Sequence, residues 1–188
     1  MSKLKDHKSH PLTDQEVIDL VNGKAKVVTY DKLYKYKSID DLLKPHGAVF
    51  LLYQQDRNYG HWVALFKRED RKGNVEIEVF NSYGQFPDDE LFYTAKEKRK
   101  ELNHDYPYLT RLLYKAPRNY DIIYNQYPFQ KFGKGINTCG RHTVLRLLNK
   151  DKSLNEYVKW FTEEMGGNIN SKKTDDFVTK ETLFELKS

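Results

Sequence analysis

The chain has 188 residues, 38% of them hydrophobic, 14% aromatic and 31% charged, which suits one domain with a sizeable core and excludes wholesale disorder. Its formal net charge is +5, with 32 Lys and Arg interleaved among 27 Asp and Glu, a mild bias towards anionic partners and not a basic patch. No apolar run approaches the ~20 residues of a bilayer span, the start MSKLKDHKSH lacks the hydrophobic segment of a secretory signal, and a single cysteine excludes an internal disulfide or a thiolate-rich zinc site.

Along the chain, LTDQEVIDLVNGK opens with Thr13 and Glu16 at capping-box spacing and predicts a short amphipathic helix with Val17, Leu20 and Val21 on one face, stopped at Gly23. SIDDLLKP repeats the plan with Ser38 as cap and Pro45 as stop. The period then changes: GAVFLLYQQ (47–55), HWVALFK (61–67) and VEIEVFNSYG (75–84) read as three strands of one sheet. Helical composition returns over 87–116, broken near Pro107. The cluster KEKRK at 96–100 reads as a solvated face. A helix beginning near Cys139 follows, and SLNEYVKWFTEEM carries a second capping box in Ser153 and Glu156 before Gly166-Gly167, read as a helix stop and not as a self-cleavage site. The organisation expected is an α+β domain with an N-terminal helical segment (12–45), a core (47–166) around a mostly antiparallel sheet, and a loosely packed polar tail (167–188).

Asn137 or Thr138 is the expected cap of the helix that starts near Cys139, which puts the lone thiol in a first turn where unpaired N–H groups favour a thiolate. A lone cysteine is more often a small buried hydrophobe, so its chemistry needs a partner. His7, His10 and His46 lie in polar or turn-like segments, and His104 in NHDYP reads as a surface residue. His61 begins a strand, and the next strand holds Asn81. If residue 67 pairs with 75 through a hairpin over 68–74, His61 lies opposite Asn81, with Cβ atoms roughly 5 Å apart. A register slipped by two residues is the alternative to this pairing. Asn81 would then fix the imidazole tautomer, leaving the other nitrogen for a thiol. His142, one turn after Cys139, is the competing base; its bland role is a solvent-facing polar residue or a bond to a neighbouring loop. No set of metal ligands occurs at recognisable spacing.

The blocks GHWVALF, FNSYG and NTCGRH, in that order, resemble the His-Trp, Asp/Asn-Ser and Cys-Gly blocks of the adenovirus-type and ubiquitin-like-protein-specific cysteine proteases, above all the viral branch found in virophages and large DNA transposons. The resemblance spans roughly residues 47–149. It implies a papain-like arrangement in which the helix bearing the nucleophile Cys139 packs on the sheet bearing the base His61, with Asn81 as the orienting third member. Trp62 and Gly140 match positions that shape the substrate groove. The family's oxyanion glutamine matches Gln130, with Gln126 as the fallback; Asn81 departs from the commoner acid, and Gln130 stands further from the cysteine than is usual. The resemblance further implies cleavage of viral capsid or core precursors at small, Gly-Gly-like sites by a monomer. It needs no cofactor for the chemistry, although DNA or a viral peptide activates relatives, and it acts in the virion and in host cytoplasm or nucleus. A deconjugating protease for ubiquitin-like modifiers is a second reading, and a basic, Tyr-rich nucleic-acid-binding module with a structural cysteine is a third.

Overall fold

The computed structural model describes residues 2–56, 59–167, 169 and 171–184. Eight α-helices and five strands alternate along the described residues: α1 (Ser2–Ser9), α2 (Asp14–Leu20), β1 (Lys26–Thr29), α3 (Ile39–Leu43), β2 (Ala48–Asp56), β3 (Tyr59–Glu69), β4 (Val75–Asn81), α4 (Lys96–Glu101), α5 (Tyr108–Tyr114), β5 (Tyr120–Tyr124), α6 (Cys139–Leu148), α7 (Leu154–Glu164) and α8 (Ser171–Phe184). Two 3-10 helices, Tyr30–Lys35 and Asp89–Tyr93, complete the set. Both expected capping boxes form: Thr13 accepts from Glu16 N–H at the start of α2, and Ser153 from Glu156 N–H at the start of α7. Ser38 caps α3 as expected. Gly166 and Gly167 take positive φ just past α7, as a helix stop requires.

The strands form one sheet in the order β1-β2-β3-β4-β5. The central pairs β2–β3 and β3–β4 are antiparallel, but the outer strands β1 and β5 join in parallel, so the sheet is mixed and not mostly antiparallel. Parallel edges need crossover connections, and here the helices between the strands supply them. Strand β2 reads as an unbroken apolar run because both faces are covered. Ala48 and Phe50 with Trp62, Ala64 and Phe66 of β3 pack on α2, α6 and α7, while Val49, Leu51, Val63, Leu65, Ile77 and Val79 pack on the Tyr30–Lys35 helix, α3 and α5.

Helix α6 is buried over nearly its whole length, and its polar residues are paired accordingly. Arg146 forms a two-pronged ion pair with Glu78, each bond 2.7 Å, and lies over the Phe66 and Tyr157 rings. The segment expected to be a loose tail contains α8, which packs on α6 and buries Thr174, Asp175, Val178, Thr179 and Thr182. Thr179 and Thr182 fold back onto the helix carbonyls, Thr179 to Asp175 O at 2.7 Å and Thr182 to Val178 O at 2.8 Å, while Thr174 donates to Phe129 O, so a polar sequence still presents a buried stripe. His104, expected at the surface, is buried with its ring edge-on to Tyr30. The KEKRK cluster falls on α4, which buries none of its residues.

Candidate active site

Strand β4 ends at Asn81, which pairs with Val63. Thus the hairpin register is two residues away from the expected one: Glu69, not residue 67, faces Val75. The cause lies in the turn, where Asp70 takes the N–H groups of Lys72 and Asn74 and closes it tightly, so β3 runs on to Glu69. A slip of two leaves His61 and Asn81 on one face as diagonal neighbours, and the imidazole Nε2 lies 2.9 Å from Asn81 Oδ1.

Past the Val63–Asn81 pair, β3 has no strand partner on that side. The Trp62 N–H there and the Gly140 N–H in the first turn of α6 both favour the ionised form of the Cys139 thiol. The His61 ring is the third group that favours the thiolate. With Nε2 committed to Asn81, the nitrogen left to the thiol is Nδ1. The expected capping by Asn137 or Thr138 does not form: Thr138 is the cap residue by position, but its hydroxyl donates to Asp175, and the Asn137 side chain donates to Ser9 O at 2.7 Å. The first-turn N–H groups stay available to the sulfur.

Two glycines permit these approaches. A Cβ on Gly60 would sit 2.6 Å from the Tyr53 carbonyl oxygen, where β3 crosses the bulge of β2 between Gln54 and Asp56. A Cβ on Gly140 would meet Trp62 Cδ1 at 3.0 Å and Leu12 Cβ at 3.1 Å, so Gly140 sets how closely α6 approaches Trp62. The Trp62 indole N–H donates to Leu12 O at 3.0 Å, which fixes its ring.

Burial pushes the His61 ring towards neutrality, but the Glu90 carboxylate, the Cys139 sulfur and Asn81 outweigh it and raise the pKa to about 9. Burial likewise opposes ionisation of Cys139, and the His61 ring with the Trp62 and Gly140 N–H groups carries its pKa below the ordinary 9.0. The two shifts together favour a thiolate–imidazolium pair.

Gln130 lines the same cleft of about 660 Å³ as Cys139, His61 and Trp62. Its backbone N–H donates to Ser82 O, its Oε1 accepts from Ser82 Oγ at 2.7 Å, and its Nε2 is 3.3 Å from Tyr83 Oη. Ser82 thereby fixes the amide, with its Nε2 turned to Tyr83. Gln126 is exposed, bonds to Tyr124 and does not line the cleft. His142 is fully buried, with Nε2 3.1 Å from Asp175 Oδ1 and its ring beside Phe129 and Phe161. It is neither solvent-facing nor turned to the thiol.

Sequence reasoning missed three contributors. Tyr83 stacks on His61 with centroids 4.6 Å apart, and Phe132 stacks on Tyr83 at 3.8 Å, so an aromatic pile closes one side of the base. Glu90, in the 3-10 helix after β4, accepts from Asn81 Nδ2 at 3.0 Å and lies 3.5 Å from His61 Nε2. Only the FNSYG block hinted at Tyr83; nothing in the sequence pointed to Glu90 or Phe132. Among the described residues there is no group of three or more His, Cys, Asp or Glu that would hold a metal ion, and no helix is long and apolar enough to cross a membrane.

No protein-family model matches the chain. Of solved structures, the central domain of the uncharacterized Lpg1148 protein from Legionella pneumophila aligns over 93% of this chain and 98% of its own, at 13% identity and a TM-score of 0.41, a likeness too slight to carry any inference. The curated relative is different in kind: "Uncharacterized protein V9" of Sputnik virophage is 44% identical over 160 residues, spanning 85% of this chain and 88% of its own. At that identity and coverage the chain belongs to the same protein family as Sputnik virophage V9.

Proposed function

We propose that the protein is a cysteine endopeptidase of papain-like arrangement. The observation that carries this reading is the meeting of Cys139, His61 and Asn81, from α6, β3 and β4, at the end of the sheet, with the thiol lowered and the imidazole raised in pKa. In the reaction the Cys139 thiolate attacks a peptide carbonyl carbon, and the oxygen takes the charge. The Cys139 N–H and the Gln130 amide stabilise that oxyanion. His61 gives its proton to the leaving amine as the C–N bond breaks, and a thioester remains. His61 then takes a proton from water, whose oxygen attacks the thioester, and the thiolate returns. No metal or organic cofactor enters the chemistry.

The kinship with a virophage protein supports viral substrates, namely capsid or core precursors cut at small, Gly-Gly-like sites during virion maturation. Action in the virion and in host cytoplasm or nucleus suits a single unprotected thiol, which needs reducing surroundings. The +5 charge fits DNA as an activator, by attraction that weakens steeply with salt.

The test is incubation with candidate capsid precursors, wild type beside Cys139→Ala, read by intact mass. Wild type is expected to release defined fragments, Cys139→Ala none, with the variant's circular dichroism unchanged. Cutting by both proteins, or by neither, counts against the reading.

A further inference from the structure

Asn81 is neutral, yet the ring it orients is driven towards the cation, so the compensating charge must come from elsewhere. Two donors converge on Asn81 Oδ1, the His61 ring and the Tyr83 N–H, each at 2.9 Å, which fixes that atom as the acceptor. The Asn81 Nδ2 then donates to Glu90 Oε1 at 3.0 Å. Glu90 is 3% exposed, and among the described residues its ion pairs reduce to the one with His61 Nε2 at 3.5 Å. An anion so placed has His61 as its natural counter-charge.

The loop that delivers Glu90 is itself pinned. Asp88, at φ 70, accepts from the Tyr30 and Tyr53 hydroxyls at 2.9 and 3.0 Å through one oxygen and from Thr110 N–H at 2.8 Å through the other. Tyr53 is the cross-strand partner of His61, so the anchor of this loop and the base share one rung of the sheet. We propose that Glu90 is a positioning residue for the reaction, its carboxylate orienting the Asn81 amide and balancing the charge of His61 while the ring faces the thiol. The proposal rests on the cysteine-protease reading above. The titratable groups around the ring are Cys139 from α6, Glu90 from its 3-10 helix, Tyr83 stacked on its face and Tyr53 across from it on β2.

The test separates the carboxylate from the thiolate by working in a Cys139→Ser background and following the His61 ring protons by NMR across pH. With Glu90 present the ring is expected to titrate above its ordinary 6.5. Glu90→Gln in the same background is expected to lower the midpoint by about one pH unit or more. In the thiol-bearing protein, Glu90→Gln is expected to move the alkaline limb of kcat/KM to lower pH with KM unchanged, and Glu90→Asp to restore part of the shift. An unmoved midpoint, or an unmoved alkaline limb despite lost activity, overturns the proposal. Should Glu90→Gln fail to fold, the Cys139→Ser protein decides alone, because a midpoint below 6.5 means Glu90 does not offset burial. A shifted midpoint in a protein that cleaves nothing removes the protease reading and keeps only Glu90's charge-balancing of His61; full cleavage by Glu90→Gln with an unmoved limb does the reverse.

Discussion

Burial alone would keep the His61 ring neutral at pH 7, so its neighbours decide its charge. Its folded pKa near 9 lies above the ordinary 6.5, so its cationic contacts stabilise the fold fully below about pH 6.5 and are lost as pH rises through 9. Activity should follow: kcat/KM is expected to fall on an alkaline limb near pH 9, where the proton for the leaving amine is lost, and a pH–rate profile checks it. Gln130→Ala is expected to lower kcat by about 10²–10³-fold with little change in KM, measured by steady-state kinetics on a cleaved peptide. Gly60→Ala should cost about 1–3 kcal/mol in thermal or urea unfolding, since the new methyl would meet the Tyr53 backbone oxygen at 2.6 Å, which cannot swing aside, as well as Leu52 Cδ1 at 2.8 Å. Cys139, His61 and Asn81 could be picked out from sequence because strand period and helix start are local signals. Glu90 could not, because it reaches the site from a short 3-10 helix with no marked pattern, and its link to Asn81 exists only in three dimensions. His142 shows the converse: a histidine one turn from the thiol looked like a base until its partner, 33 residues on, was seen to hold it in the core.

At the scale of elements, the two core faces explain which parts of the sheet were readable. β2, β3 and β4 are long and apolar, whereas β1 is four residues and β5 is half-exposed, so neither edge strand makes a run that stands out from its surroundings. The tail was misread for a similar reason: α8 buries threonines and an aspartate, which by composition look solvated. Asp175 accepts from His142, Thr138 and the Lys131 N–H at once, tying α8 to α6 and to the loop before it. Across α6, the Arg146–Glu78 pair is equally buried, at 0% and 1% side-chain exposure. Arg146→Ala is therefore expected to destabilise by about 3–5 kcal/mol in chemical denaturation, because Glu78 would be left charged and alone. Replacing both partners by apolar residues of similar volume should recover much of that loss.

For the whole molecule, the nucleophile loop is held from both ends of the described chain. Lys8 O accepts from the Asn137 N–H at 3.0 Å, Ser9 O from the Asn137 side chain, and Leu12 O from the Trp62 indole. Lys8 also pairs with Asp176 of α8 at 2.8 Å, close to the Asp175 that holds Thr138 and Lys131. The contacts to α8 join residues up to 168 positions apart, so they form only once α8 has been synthesised. A nascent chain that has exposed His61 and Cys139 but not α8 would lack the Asp175 bonds to Thr138 and Lys131, so the segment carrying the thiol would gain its full support only after α8 emerged and docked. The order of translation thus sets when the site becomes rigid: its two halves are made first and the brace that holds them last.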